Sequence, residues 1–474
     1  MSVISPKAEF NIGLVGHVAN GKSTIAKFFT HQNTNVHSAE ADRGITMRMN
    51  YGSTLICKDP KKTIPDCFFT KRSDDIKFES PWGTIGEPLM RFDLVDCPGH
   101  KAYMQFMFNG AWVMDGAIIV MSAEHKEMPA IQTIEHASVL KAMNIPVLAV
   151  VINKCDQIKR ENIFGLIEIA EEFMLKMGFP PVPIIPTCAN RGVNLDILCD
   201  LISKFPIPTK SLTHDPMMVC VRSFGINTQC TDLRKLKGGI IGGTVIQGMF
   251  SLNDDITIFP GIISVNSNKD TKWKYSPIKS KIVSMRADTQ NIDKADPGGL
   301  IAFGTNLDPS IANQDRMVGT LIVNSNKKTK PHIYESIIVT EFGLGKFSDM
   351  KEVTSVTLEK DDRITVNSKA LQITGTVLAV VREKDEVNDD LLKIKNEILG
   401  KDGVDDSDDD TDSDSDDDQD SNPIVFVSID LNSQPLCLGE FGHVSISKNV
   451  GHRDNVLVGH GTVYTGKESI MISI

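Results

Sequence analysis

The chain has 474 residues, a hydrophobic share of 41% and a formal net charge of -11. Its length allows about three domains at ~150 residues each, and no stretch approaches the ~18 consecutive apolar residues of a membrane span. The opening "MSVISPKAEF" lacks a charged region followed by an apolar core, and the nine cysteines are scattered with no C-x-x-C pair, so the expectation is a cytoplasmic protein with reduced thiols, no zinc and no membrane association.

From the N-terminus, "FNIGLVG" (10–16) is an apolar run of strand length, and "KSTIAKFF" (22–29) has the apolar spacing of a helix. Between them Gly16 to Ser23 spell G-x-x-x-x-G-K-S, a loop whose backbone N–H groups converge on phosphate oxygens at a helix N-terminus. Lys22 is expected to reach the β- and γ-phosphates and Ser23 to join a Mg²⁺ shell. Ala19, Asn20, Gly21 and Thr24 complete the expected cradle. Strands at 91–96, 116–121 and 146–153 then alternate with helical patterns at 101–113, 128–143 and 161–177. That order predicts an α/β domain, 1–208, with a mostly parallel, doubly wound sheet.

The proline-marked "FPIPT" (205–209) separates this domain from short β-rich runs divided by glycine turns, which predict a β-barrel over 209–328. After "NSNKKTKPH" (324–332) comes another β-rich region, expected as a second barrel over 329–474. Residues 402–420 interrupt it with twelve aspartates and no basic residue, so an unstructured acidic insertion is expected over about 384–422. Without that tract 50 basic residues face 49 acidic ones, so net charge neither argues for RNA binding nor against it.

Four further stretches decide the nucleotide. "DCPGH" (96–100) ends a strand, placing Asp96 to hold Mg²⁺ and the Gly99 N–H to touch a γ-phosphate. "RGIT" (43–46) supplies a Thr46 hydroxyl for the same ion. "NKCD" (153–156), comprising Asn153, Lys154 and Asp156 around Cys155, follows an apolar strand. There the Asp156 carboxylate can accept from guanine N1 and the exocyclic amine, a pair that adenine lacks, and a buried acceptor left unpaired rejects the wrong base. "PTCAN" (186–190) can present the Ala189 N–H to guanine O6, with Cys188 and Asn190 beside it. In this order, each at a strand end, they specify GTP.

The set "GHVANGKS", "RGIT", "DCPGH" and "NKCD" resembles the translational GTPases. Within them the chain is most similar to the gamma subunits of eukaryotic and archaeal translation initiation factor two. The stretches that carry this are "MFNGAWVMDGAIIVMSA", "PIIPTCANRGVNLDIL", "KFPIPT", "LKGGIIGGTVIQG", "KIVSMRAD", "DPGGLIAFGTNLDPS" and "DRMVG". The region after 329 is similar more loosely, through "ITVNSKALQITGTVLAV" and "LGEFGHVSIS". Ala19 stands where aminoacyl-tRNA-delivering elongation factors usually carry Asp. Departures from the gamma-subunit pattern are Gly44 for a common Asn, Asn20 for His, Cys188 for Ser and Lys101 for Asp.

The resemblance implies a GTPase cycling between GTP and GDP with Mg²⁺, an alpha and a beta subunit as partners, and delivery of methionyl initiator tRNA to the small ribosomal subunit. It also implies a GTPase-activating factor and a guanine nucleotide exchange factor. His100 is expected to position the attacking water behind an apolar gate of Val18 and Ile45. Tyr51 and Arg222 are expected to line a tRNA groove between the first two domains. Two other readings fit the same motifs: a specialised elongation factor delivering another aminoacyl-tRNA, and a GTP-dependent tRNA-binding scaffold with negligible catalysis.

Overall fold

The computed structural model describes residues 5–32, 50–72, 75, 77–100, 104–125, 128–207, 209, 211–227, 236–266, 271–344, 357–368, 371–399, 423–439, 442–450 and 453–472. Ile45, Thr46, Gly44, Lys101 and the aspartate tract 402–420 lie outside them.

The apolar run after Phe10 forms β1 (Asn11–Val15), buried along its whole length. It occupies the middle of a seven-stranded sheet with β2 (Asn50–Lys58), β3 (Phe68–Arg72), β4 (Glu87–Asp96), β5 (Gly116–Ser122), β6 (Val147–Asn153) and β7 (Ile184–Pro186), in the order β3-β2-β4-β1-β5-β6-β7. Strands from β4 across to β7 pair in parallel, while β2 runs antiparallel to both β3 and β4 at one edge. A parallel sheet must be covered on both faces. The helices that do this are α1 (Lys22–Thr30), α2 (Met104–Ala111), α3 (Ile131–Ala142), α4 (Arg160–Lys176) and α5 (Leu195–Ser203). Two apolar cores result. One joins Ile12, Leu14, Ile25, Phe29 and Leu198; the other joins Val15, Ile119, Val139 and Phe173.

Beyond residue 216 the sheet changes character. Six antiparallel strands pair in the order Asp255–Val265, Leu321–Asn324, Met217–Phe224, Ile240–Gln247, Ile301–Thr305 and Trp273–Ala287, and the last pairs with the first to close a barrel. A second closed barrel follows from Ile424–Leu431, Leu371–Arg382, Arg363–Ser368, His443–Val450, Arg453–Glu468 and His332–Leu344. An α/β domain with two trailing barrels is therefore the architecture, as the sequence led us to expect. Closure gives each of these twelve strands a neighbour on both sides.

The interval expected to be an unstructured insertion, about 384–422, is corrected at its start. Asp389–Leu399 is a helix, with Asp389 and Asp390 in its first turn, where negative charge suits the helix dipole. Leu391, Ile394 and Ile398 recur at helical spacing and pack against Val381 and Phe426 of the third domain. The charge run hides this apolar stripe from a composition-based reading.

The domains are joined through short polar contacts. Lys7 Nζ donates to the carbonyls of Asp296, Pro297 and Gly298 at 3.0, 2.9 and 2.8 Å. The Leu300 N–H donates to Asp93 on β4 at 2.5 Å. Gly298 has φ +100, and a Cβ there would stand 2.2 Å from the Glu9 carbonyl oxygen. Gly298→Ala is accordingly expected to destabilise the chain by more than about 1 kcal/mol, read as a lower urea midpoint; an unchanged midpoint would show that this junction has slack.

Candidate nucleotide-binding site

At the C-terminal ends of the parallel strands four loops enclose a cavity of about 280 Å³, lined by Val18, Ala19, Gly21, Lys22, Ser23, Thr24, Gly99, Asn153, Lys154, Asp156, Gln157, Cys188, Ala189 and Asn190. This is where a doubly wound sheet places its ligand, outside the carboxyl ends of the strands. Stretches separated by more than a hundred residues thus share one wall.

The phosphate end is built on a strained loop. Ala19 has φ 62 and Gly21 φ 93, and a Cβ on Gly21 would stand 2.1 Å from Asn153 Nδ2. Lys22 Nζ turns back to donate to the Gly16 and His17 carbonyls, each at 2.8 Å. Burial pushes its ammonium down to about 8, opposed by the negative charge of Asp96. Ser23 Oγ donates to Asp96 Oδ2 at 2.7 Å. A hydroxyl and a carboxylate oxygen from two elements therefore sit side by side, hard oxygen donors of the kind Mg²⁺ takes.

At the opposite end Asn153 bridges two loops. Its Oδ1 accepts from the Ala189 N–H at 3.0 Å, and its Nδ2 donates to the Asn20 carbonyl at 3.0 Å. Asp156 stands on the wall beyond it, its side chain 27% exposed and the Arg191 guanidinium 3.7 Å away. Cys188 is buried, and burial raises its thiol, helped by a hydrogen bond with Asp156. Lys154 takes a left-handed conformation, φ 64, and pairs with Glu124 at 2.7 Å.

The comparisons agree with this geometry. Residues 7–207 match the family model described as the elongation factor Tu GTP binding domain. The chain is 35% identical over 387 residues to translation initiation factor 2 subunit gamma of Methanococcus vannielii, covering 81% of this chain and 92% of that one. It is 36% identical to the same subunit of Sulfurisphaera tokodaii, over 69% of this chain and 77% of the relative. This chain belongs to the translation initiation factor 2 gamma-subunit family. The fold is shared more widely. The Methanococcus maripaludis elongation factor SelB, in complex with the GTP analogue GppNHp, superposes with a TM-score of 0.65 at 18% identity, covering 97% of this chain and 80% of that one. The gamma-subunit chain is thus a GTP-binding translation initiation factor subunit and a GTPase.

Not every expected residue of this family member faces the cavity. Asn20 is buried, and its Nδ2 donates inward to the Val120 carbonyl at 2.8 Å, so its backbone rather than its amide meets the site. His100 is exposed, near enough for its charge to act on the His17 imidazole. Tyr51 is half-buried on β2 and packs against the core, with its hydroxyl driven up by burial. Arg222 Nε donates to Asp315 at 3.1 Å. Tyr51 and Arg222 are neighbours, since the Arg222 charge acts on the Tyr51 hydroxyl. Among the described residues no cluster of three or more His, Cys, Asp or Glu could hold a metal, and no helix is long and apolar enough to cross a membrane.

Sequence reasoning missed Gln157, which follows "NKCD" directly and lines the cavity. It also missed His136, whose isolated place in the apolar pattern of α3 gives no spacing signal. The His136 ring is 1% exposed. Burial pushes it down to about 3, with the charges of Lys22 and His17 acting in the same direction. The unfolded chain therefore binds a proton that the folded one excludes, and stability rises with pH across the interval from about 3 to the ordinary value of 6.5. Comparing urea unfolding at pH 7 and pH 5, the wild type should lose roughly 1 kcal/mol per pH unit more than His136→Asn below 6.5. Equal losses would show that another group governs this limb.

Proposed function

We propose that this gamma-subunit chain, in its GTP state, binds methionyl initiator tRNA and carries it to the small ribosomal subunit in company with alpha and beta subunits, and that hydrolysis to GDP releases it. The observation that carries this reading is 35% identity to a curated gamma subunit over 81% of the chain, a span that reaches well past the GTP-binding domain. Cytoplasmic residence and the unit boundaries 1–208, 209–328 and 329–474 belong to the same proposal.

In this proposal Lys22 neutralises charge on the β- and γ-phosphates, and the N–H groups of Ala19 to Thr24 cradle them. Asp156 accepts from guanine N1 and the exocyclic amine, while the Ala189 N–H, which donates to Asn153 Oδ1 in the structure, is shared between that oxygen and O6 once the base is bound. Mg²⁺ would be held by Ser23, Asp96 and Thr46, and it would neutralise charge on the phosphate oxygens. The Gly99 N–H meets the γ-phosphate, so losing that group frees the segment after Asp96. His100 orients the water that attacks the γ-phosphorus, behind Val18 and Ile45. Unaided hydrolysis in such sites can be as slow as about 10⁻⁴ per second, which makes an activating factor necessary and an exchange factor useful. The groove between the first two domains receives the acceptor end of the tRNA, with Tyr51 and Arg222 in its floor.

Asp156→Asn is expected to weaken GTP roughly tenfold or more and to admit xanthosine triphosphate, whose added oxo group pairs with the new amide; unchanged GTP affinity would overturn the guanine assignment. His100→Ala should bind GTP and tRNA normally yet lose about 10²–10⁴-fold of factor-stimulated single-turnover hydrolysis, and an unchanged rate would remove His100 from the mechanism. For the function itself, filter binding of charged initiator and elongator methionyl-tRNA should show retention of the initiator alone, with GTP and far less with GDP. Equal retention of both tRNAs would favour a general carrier, and equal retention with both nucleotides a scaffold.

A further inference from the structure

The first two peptide units of the phosphate loop make no use of their N–H groups in the cavity. The Gly16 N–H donates to His136 Nδ1 at 2.9 Å, and the His17 N–H donates to Thr133 Oγ1 at 3.2 Å. Thr133 and His136 are one turn apart on α3, both 1% exposed, and so present two acceptors in register with two consecutive amides. The Gly16 and His17 carbonyls in turn accept from the Lys22 ammonium. Gly16 and His17 are therefore each held through the N–H by α3 and through the carbonyl by the lysine.

From this geometry we infer that His136 is a positioning residue for the nucleotide: its Nδ1 lone pair, with Thr133 Oγ1, fixes the two carbonyls that anchor Lys22 and so aims the ammonium at the phosphate chain. His136 touches no nucleotide itself. The role needs an acceptor at Nδ1, which a neutral imidazole with its proton on Nε2 provides and an imidazolium does not. Without that acceptor the Gly16 N–H is buried and unpaired. The loop then relaxes to find another partner, carrying the Gly16 carbonyl and Lys22 with it. His136 and Thr133 thereby act on the start of the phosphate loop, and leave in place the guanine end, whose Asp156 and Ala189 stand on the loops after β6 and β7.

Two substitutions in the full chain separate this role from simple packing. His136→Leu fills a similar volume without an acceptor, whereas His136→Asn puts an amide oxygen close to the position of Nδ1. Affinities for GTP, GDP and guanosine are measured by calorimetry, alongside thermal midpoints. The expected result is about a tenfold or greater loss of GTP and GDP affinity in His136→Leu, guanosine binding unchanged, and recovery of most of the phosphate-dependent affinity in His136→Asn. A His136→Leu protein that binds GTP as the wild type does would overturn the inference. So would equal losses for GTP and guanosine, or equal impairment of both variants, since either outcome marks a packing role. None of these readouts involves tRNA, so the result stands apart from the proposed delivery function.

Discussion

One buried carboxamide sets the length of the nucleotide site. Asn153, 3% exposed at the end of β6, reaches the phosphate loop through the Asn20 carbonyl and the loop after β7 through the Ala189 N–H. Both contacts use the same planar group, so moving either loop breaks a buried hydrogen bond, at a cost of about 1–3 kcal/mol for the group left unpaired. The phosphate end and the base end are therefore spaced by the amide itself. Gly21 follows from this constraint, because any side chain there would collide with Asn153 Nδ2. A preformed site of this kind spends little of its binding energy on ordering the protein.

Around that joint the supports run outward into the other domains. β4 carries Asp93, which holds the Leu300 N–H of the middle barrel, and three residues later Asp96, which meets Ser23 in the cavity. Burial raises the Asp93 carboxyl to about 6, a cost offset by the Ser53 hydroxyl and the Leu300 N–H that donate to it. α3 supports the phosphate loop and packs on its other side against Arg453–Glu468 of the last barrel. Leu457 of that strand joins the same apolar core as Ile134 and Ala137 of α3. The parts of the site that face the phosphates are thus continuous with both barrels, the arrangement that a nucleotide-driven change in domain contacts requires.

Much of this was legible in the amino-acid order for identifiable reasons. β1, β5 and β6 are buried on both faces, so they read as unbroken apolar runs, and the glycine-lysine loop between β1 and α1 has few alternative explanations. β3 at the edge and β2 beside it carry mixed polar sequence that does not show them as a pair; their antiparallel pairing comes from tertiary context. Tyr51 showed a different limit. An aromatic side chain in a β-rich stretch looks the same whether it stacks on a ligand or on the core, and Tyr51 packs against the core while keeping part of its surface exposed. His136 was invisible because its partner is a backbone N–H 120 residues away. The helix Asp389–Leu399 escaped because acidic residues dominate the interval while its apolar stripe comprises only Leu391, Ile394, Ile398 and Leu399.

The central claim is that the loops form a guanine-specific site already assembled in this chain. The most direct measurement is calorimetric titration of the nucleotide-free, full-length protein with GTP and, separately, with ATP in the presence of Mg²⁺. The account predicts a one-to-one GTP isotherm with ATP weaker by about a thousandfold or more, because adenine leaves the Asp156 carboxylate unpaired. ATP binding within tenfold of GTP would contradict it.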